Sequence, residues 1–191
     1  MKRLAAVLLA GCFALAGATN ALAQERKYKD HDEPENQNRE VQIIALDECD
    51  PGTFNAVPIL TPDFCHSVAL GSATTFNDLI MNAGKGNPDP GWDFEPDDVK
   101  VKQGTELSVV NQGGEPHTFT EVKEFGGGFI DGLNAPGETV VPECAGGFKN
   151  LAVARTRIVQ GSTVKVSGLS KGKHNFQCCI HPWMRVTVDV K

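Results

Sequence analysis

Residues 176–184 read FQCCIHPWM and connect two stretches in which apolar and polar residues alternate. Cys178, His181 and Met184 place a thiol, an imidazole and a thioether within seven residues of one another. The flanking stretches, 173–178 and 185–190, alternate with a period of two, which is typical of half-buried antiparallel strands. The segment therefore predicts a tight loop between the last two strands of a β-structure, and this loop carries three potential metal donors.

Further short strands are predicted upstream of this loop. The same alternation is found at 98–102, 107–110, 117–120 and 162–167, and Gly-containing turns separate several of these segments. Several such strands within about 100 residues are typical of a β-sandwich. We therefore predict an all-β domain over residues 92–191, with a long Gly-rich excursion at residues 125–150.

The first 91 residues divide into three segments of different composition. Residues 1–23 have a basic start, an apolar run and an Ala-Leu-Ala cleavage site, which together predict a secretory signal peptide. Residues 24–40 hold many charges and almost no aliphatic side chains, which predicts a disordered charged tether. Residues 41–91 are predicted to be an N-terminal extension with a strand at 41–46 and one short helix, FNDLIMNA, which Thr75 caps and Gly84 ends.

The signal peptide predicts a protein exported to the periplasm or the extracellular space, without stable membrane insertion. One alternative stays open, because Leu9-Ala10-Gly11-Cys12 resembles a lipobox and would make Cys12 a lipid anchor. The apolar run before Cys12 is short, so we favour cleavage after Ala23. The formal net charge of -6 argues against a nucleic-acid partner.

A second histidine completes a metal-binding set. His117 lies in the segment Gly-Glu-Pro-His-Thr-Phe, and strands that are distant in sequence can be neighbours in a Greek-key sandwich. Two imidazoles and one thiolate with a weak axial thioether are the donors of a mononuclear type 1 copper site. A zinc ion usually takes four strong donors, and a thioether is not one of them. We therefore predict one copper ion held by His117, Cys178, His181 and Met184.

Residues 92–191 resemble the cupredoxins, and the spacing of the last three predicted ligands resembles that of the amicyanins, relatives of the plastocyanins. In those proteins a Gly- and Pro-rich turn supplies the first histidine, and the turn matched here contains Gly113, Gly114, Pro116 and His117. The resemblance implies a Greek-key β-sandwich, the four copper ligands named above, and transfer of single electrons between redox partners. It implies no enzymatic activity. Many cupredoxins have Asn or Ser after the first histidine, whereas this chain has Thr118, whose hydroxyl could still tie the ligand loops together.

Five cysteines remain after cleavage at Ala23, and an exported protein favours disulfides. Cys179 could pair with Cys144, which would leave Cys49 to pair with Cys65 and would use every cysteine except Cys178. Other pairings stay open, and a bridge between Cys178 and its neighbour would destroy the copper site.

The loop also suggests where a partner docks. We expect His181 to lie on an exposed loop, where Pro182 and Trp183 form a small apolar patch for weak redox encounters. An alternative function is copper binding or delivery without electron transfer. A multicopper oxidase would need paired His-x-His motifs, and the sequence has none.

Overall fold

The computed structural model describes residues 39–58, 60–66 and 73–191, and these residues belong to one compact unit. The predicted signal peptide, Cys12 and nearly all of the predicted tether lie outside the described residues. Within them, the β-strands are β1 Glu40–Leu46, β2 Asp93–Glu95, β3 Asp98–Val101, β4 Glu106–Asn111, β5 His117–Thr118, β6 Thr120–Val122, β7 Arg157–Ile158, β8 Thr163–Val166, β9 Gly172–Gln177 and β10 Arg185–Val190. The α-helices are α1 Pro51–Phe54, α2 Phe76–Ala83 and α3 Leu151–Arg155, and two 3-10 helices span Asp131–Leu133 and Gly147–Lys149.

Two four-stranded sheets form the body of the molecule. The first has the strand order β2-β1-β4-β8 and the second has the order β3-β10-β9-β6, while β5 and β7 form a separate two-stranded sheet. From β2 to β9 the chain crosses repeatedly between the two sheets, as expected for a Greek-key arrangement. The predicted all-β class and the predicted β-sandwich are both confirmed.

The alternation seen in the sequence places one face of each sheet in a common core. Ile43 and Leu107 from the first sheet and Phe176 and Val188 from the second sheet belong to a single buried cluster. At its centre the rings of Phe119 and Phe176 stack at a centroid distance of 4.4 Å. Burial of these apolar faces is the main force that holds the two sheets together.

The predicted extension supplies part of this sandwich. β1 lies between β2 and β4, and its pairing with β4 is parallel, with Ile43 opposite Val109. β3 and β10 also pair in parallel. The sequence predicted antiparallel strands because alternation alone does not reveal strand direction, and residues 47–105, between β1 and β4, are long enough to return the chain for a parallel pairing.

The predicted helix is present with both of its expected ends. The hydroxyl of Thr75 accepts a hydrogen bond from the backbone N–H of Asp78 at 3.2 Å, and α2 ends at Gly84. The extension also holds a second short helix, α1, whereas the sequence predicted only one helix there. There the carboxylate of Asp50 accepts hydrogen bonds from Gly52 N and Thr53 N, and Pro51 occupies the first helical position.

Two disulfides join the loops to the sandwich. Cys49 pairs with Cys65 and Cys144 pairs with Cys179, which is the pairing favoured by the sequence, and Cys178 is free. Over the ranges that the structure describes, every helix is too short or too polar to cross a membrane.

Candidate metal centre

The loop between β9 and β10 is closed by its own backbone. Cys178 N donates to Met184 O, and Met184 N donates to His181 O, each at 3.0 Å. The side chains of these three residues are buried. The predicted tight loop is therefore present, and it holds its potential donors inside the protein.

His117 reaches this loop from β5, which is anchored by a buried asparagine. The side-chain amide of Asn111 donates to Glu115 O at 2.6 Å and to Ile158 O at 3.0 Å. These bonds shape the turn before β5 and join it to β7, where Ile158 pairs with His117. The turn also requires glycine, since a Cβ atom at Gly114 would overlap the backbone oxygen of His66 and the sulfur of Cys49.

Three of the predicted ligands converge at one point. Nδ1 of His117 lies 4.0 Å from Cys178 Sγ, and Nδ1 of His181 lies 3.9 Å from the same sulfur. One donor atom from each of the three residues lies within 4.8 Å of the others. A first-row metal ion with bonds of about 2.0 Å to nitrogen and about 2.3 Å to sulfur would separate its donors by roughly 3.8 Å at trigonal angles. The donor set fits such an ion.

The second ring nitrogen of each histidine faces a buried carboxylate. His117 Nε2 lies 2.8 Å from Asp47 Oδ2, and His181 Nε2 lies 3.3 Å from Glu115 Oε2. An ionised carboxylate only accepts hydrogen bonds, so each Nε2 carries the proton and donates it. With Nε2 protonated, Nδ1 is the atom of each ring that can bind a metal ion once it has lost its own proton, and the carboxylate makes it more basic.

Neither carboxylate was predicted from the sequence. Asp47 follows β1 and is separated from His117 by 70 residues, and it also accepts hydrogen bonds from Gly114 N at 2.8 Å and Glu115 N at 2.9 Å. The carboxylate of Glu115 accepts a hydrogen bond from Trp92 Nε1 at 2.7 Å. An acidic residue two positions before a predicted metal ligand was a signal for Glu115. Asp47 carried no local signal, because only the parallel pairing of β1 brings it to the centre.

Two backbone N–H groups point at the candidate thiolate. Thr118 N and His181 N each lie 3.4 Å from Cys178 Sγ. The hydroxyl of Thr118 accepts a hydrogen bond from Cys179 N at 2.7 Å. The sequence suggested that the Thr118 hydroxyl could tie the two ligand loops together, and this hydrogen bond is present.

The buried charges shift the pKa values of the donors in the metal-free protein. Burial alone would raise the pKa of Cys178, but hydrogen bonds and the positive charges of His117 and His181 outweigh it and hold that pKa well below its ordinary value. Burial alone would lower the pKa of His117, but hydrogen bonds to Asp47 and Cys178 raise it to about 9. The pKa of His181 rises to about 10, because the charge of Glu115 and the bond to Cys178 outweigh burial. The centre thus favours a thiolate, which is the form of cysteine that binds metals.

One prediction about this loop is wrong. The sequence predicted His181 on an exposed loop, but only 1% of its surface is accessible. Glu115 lies against its outer nitrogen, and the rings of Trp92 and Trp183 lie 6.2 Å and 5.5 Å from the imidazole. Trp92 and Glu115 lie outside the loop, so the loop sequence alone could not reveal this cover.

No protein-family model matches the chain, and no curated protein sequence matches it. Among solved structures, the chain is similar to a purple cupredoxin from Nitrosopumilus maritimus, with 12% identity, coverage of 79% of this chain and 99% of that chain, and a TM-score of 0.39. It is also similar to amicyanin from Paracoccus versutus, with 17% identity, coverage of 52% and 73%, and a TM-score of 0.32. Because these identities and TM-scores are low, the assignment of the β-sandwich depends on the two sheets described above.

Proposed function

We propose that this protein is an exported type 1 copper protein that carries single electrons between redox partner proteins. His117, Cys178 and His181 would hold one copper ion, with the Met184 thioether as a weak fourth ligand. One observation carries this proposal: the Nδ1 atoms of His117 and His181 both lie beside the sulfur of Cys178, which is the free cysteine among the described residues.

The donor types favour copper over other first-row ions. A thiolate and a thioether are soft donors that stabilise Cu(I), while two imidazoles keep Cu(II) accessible. When bound, the ion would supply a one-electron redox couple. Both disulfides use the other cysteines of the described chain, which leaves the Cys178 thiolate as the sulfur anion at this site.

The protein around these donors favours electron transfer over copper delivery. His117 and His181 are each held by a buried carboxylate, and Cys178 Sγ accepts two backbone N–H groups. Ligands that are fixed in this way rearrange little when the charge of the site changes. All of the proposed ligands are buried, whereas a delivery protein must release its ion to a partner. A reversible reduction potential with slow loss of copper would support the carrier function against delivery.

Electron exchange with a partner is proposed to occur at the loop around His181, through Trp183. This tryptophan is half-buried, and its ring lies 5.5 Å from the imidazole of His181, so it links the buried centre to the surface. Small apolar contacts of this kind suit brief encounters between redox proteins.

The visible absorption spectrum of oxidised, copper-loaded protein tests the site directly. We expect an intense sulfur-to-copper charge-transfer band in the wild type and its loss in Cys178→Ser. The matched control is His174→Asn, because His174 contacts Glu121 and Ser170 O away from the centre, and this variant should keep the band. A band that survives Cys178→Ser, or that never forms in the wild type, would refute the copper proposal.

A further inference from the structure

A cavity of about 340 Å³ lies between the helices of the extension and the candidate metal centre. Small-molecule sites in proteins have volumes of roughly 300–1,000 Å³, so this cavity has room for a small ligand. Its walls are leucine, isoleucine and phenylalanine side chains. Five of the 10 phenylalanines in the chain line it: Phe54, Phe64, Phe76, Phe129 and Phe148.

The cavity reaches the protein surface. Ile130 and Phe148 belong to its lining, and they are 37% and 40% exposed to solvent. The rings of Phe129 and Phe148 meet edge to face at a centroid distance of 5.3 Å. A small molecule could therefore enter between exposed apolar side chains without unfolding the extension.

Two polar residues, Glu115 and His181, line this otherwise apolar cavity within the described part of the chain. Glu115 is only 2% exposed. Its Oε2 atom accepts a hydrogen bond from Trp92 Nε1 and also contacts His181 Nε2. Its other oxygen, Oε1, has no hydrogen-bond partner among the described residues. A carboxylate oxygen is a strong hydrogen-bond acceptor, so a ligand that donates a hydrogen bond to Oε1 would be favoured.

We propose that this cavity binds a small neutral aromatic alcohol of the phenol class. The aromatic ring would pack against the phenylalanine side chains, which prefer edge-to-face and offset contacts with other rings. The hydroxyl group would donate a hydrogen bond to Glu115 Oε1. A carboxylic acid would be repelled by Glu115, a charged amine would lose its hydration among apolar walls, and a hydrocarbon would leave Oε1 without a donor.

This binding site gives the extension a role, because side chains of α1 and α2, with Leu60 and Phe64 between them, form much of the cavity wall. The proposed contacts with the ligand do not require copper, since neither the phenylalanine walls nor Oε1 of Glu115 belongs to the proposed copper ligands, although His181 also lines the cavity. We therefore expect the same binding by metal-free protein and by protein loaded with Cu(I).

The first test compares 2-naphthol with naphthalene, which has the same rings but no hydroxyl group. We expect 2-naphthol to bind at one site per chain, at least tenfold more tightly than naphthalene in a calorimetric titration, and to shift the indole N–H resonance of Trp92. Glu115→Gln should reduce this preference for the alcohol. Equal affinity for the two probes, or no saturable binding of either probe, would overturn the proposal.

The second test blocks the cavity without changing the metal centre. Ile80→Trp fills the cavity from α2, and Ile130→Trp narrows its exposed mouth, so each variant should weaken 2-naphthol binding at least tenfold. The matched control is Leu151→Trp, because Leu151 is 68% exposed and does not line the cavity. Undiminished binding by both cavity variants, with unchanged thermal unfolding, would place the probe elsewhere and overturn the proposal. Failure here would leave the Cys178→Ser absorption test unaffected.

Discussion

Replacing Asp47 by asparagine tests whether this buried carboxylate positions the first histidine. Asp47 Oδ2 lies 2.9 Å from Glu115 N and 2.8 Å from His117 Nε2, and Oδ1 lies 2.8 Å from Gly114 N. Asparagine has nearly the same size, but one of its two terminal atoms is an NH₂ group that cannot accept a hydrogen bond. In either orientation of the amide, a buried backbone N–H faces another donor.

The size of the effect follows from these contacts. A hydrogen bond to a charged group contributes about 1.5–3 kcal/mol, and removal of one partner from a buried ion pair costs about 3–5 kcal/mol. We therefore expect Asp47→Asn to lower the free energy of unfolding of the metal-free protein by about 3–5 kcal/mol near pH 6. The effect is large because the side chains of both Asp47 and His117 are fully buried.

The loss should depend on pH in a defined direction. The pKa of Asp47 is lowered, so its contribution is present above the ordinary aspartate pKa of about 3.9 and disappears as the pH falls through the lowered value. The pKa of His117 is raised to about 9, so its contribution is complete below about pH 6.5 and disappears as the pH rises to about 9. The difference between wild type and variant should therefore be largest between about pH 4 and pH 6.5 and should shrink towards pH 9.

Urea unfolding of metal-free protein with intact disulfides, followed by circular dichroism, measures this difference. The matched control is Asp50→Asn, because Asp50 caps α1 at a partly exposed position and asparagine caps helices as well as aspartate does. The control should leave the free energy of unfolding unchanged. A loss below about 1 kcal/mol for Asp47→Asn at pH 6, or a loss that stays constant up to pH 9, would refute the role assigned to Asp47.

Three further predictions concern the metal centre. The pKa values of His117 and His181 are raised to about 9 and about 10. Metal binding to their Nδ1 atoms at pH 7 should therefore release close to two protons, which calorimetry in buffers of different ionisation enthalpy measures. Metal binding without proton release would contradict this protonation state. Gly114→Ala should weaken metal binding and destabilise the protein by about 1–3 kcal/mol in thermal unfolding, because the new Cβ atom would overlap backbone. The control Gly132→Ala lies at an open position and should change neither metal binding nor stability. Equal losses in the two variants would contradict the steric explanation. Trp183→Glu should keep the copper colour but slow electron self-exchange, and unchanged exchange would show that electrons leave by another route.

The features that the sequence determined correctly are local in the chain. Alternation around residues 176–184 predicted two strands and the loop between them, because the period of two follows from strand geometry alone. Thr75 and Gly84 predicted the two ends of α2, since capping depends on residues within one turn. The favoured cysteine pairing is also present, but the sequence left other pairings open, and only the folded structure selects this one.

The tertiary structure decided which distant residues contact the candidate metal centre. The parallel pairing of β1 with β4 brings Asp47 to His117 across 70 residues, and no local pattern in the sequence encodes that contact. The same long-range packing buries His181 under Glu115 and Trp92, although its loop sequence predicted exposure. Sequence spacing determined which donors are available, because donor chemistry belongs to single residues. Packing of the two sheets and the extension determined the tautomers, the charges and the solvent access of these donors. Those properties depend on every neighbour that folding brings into contact with a donor.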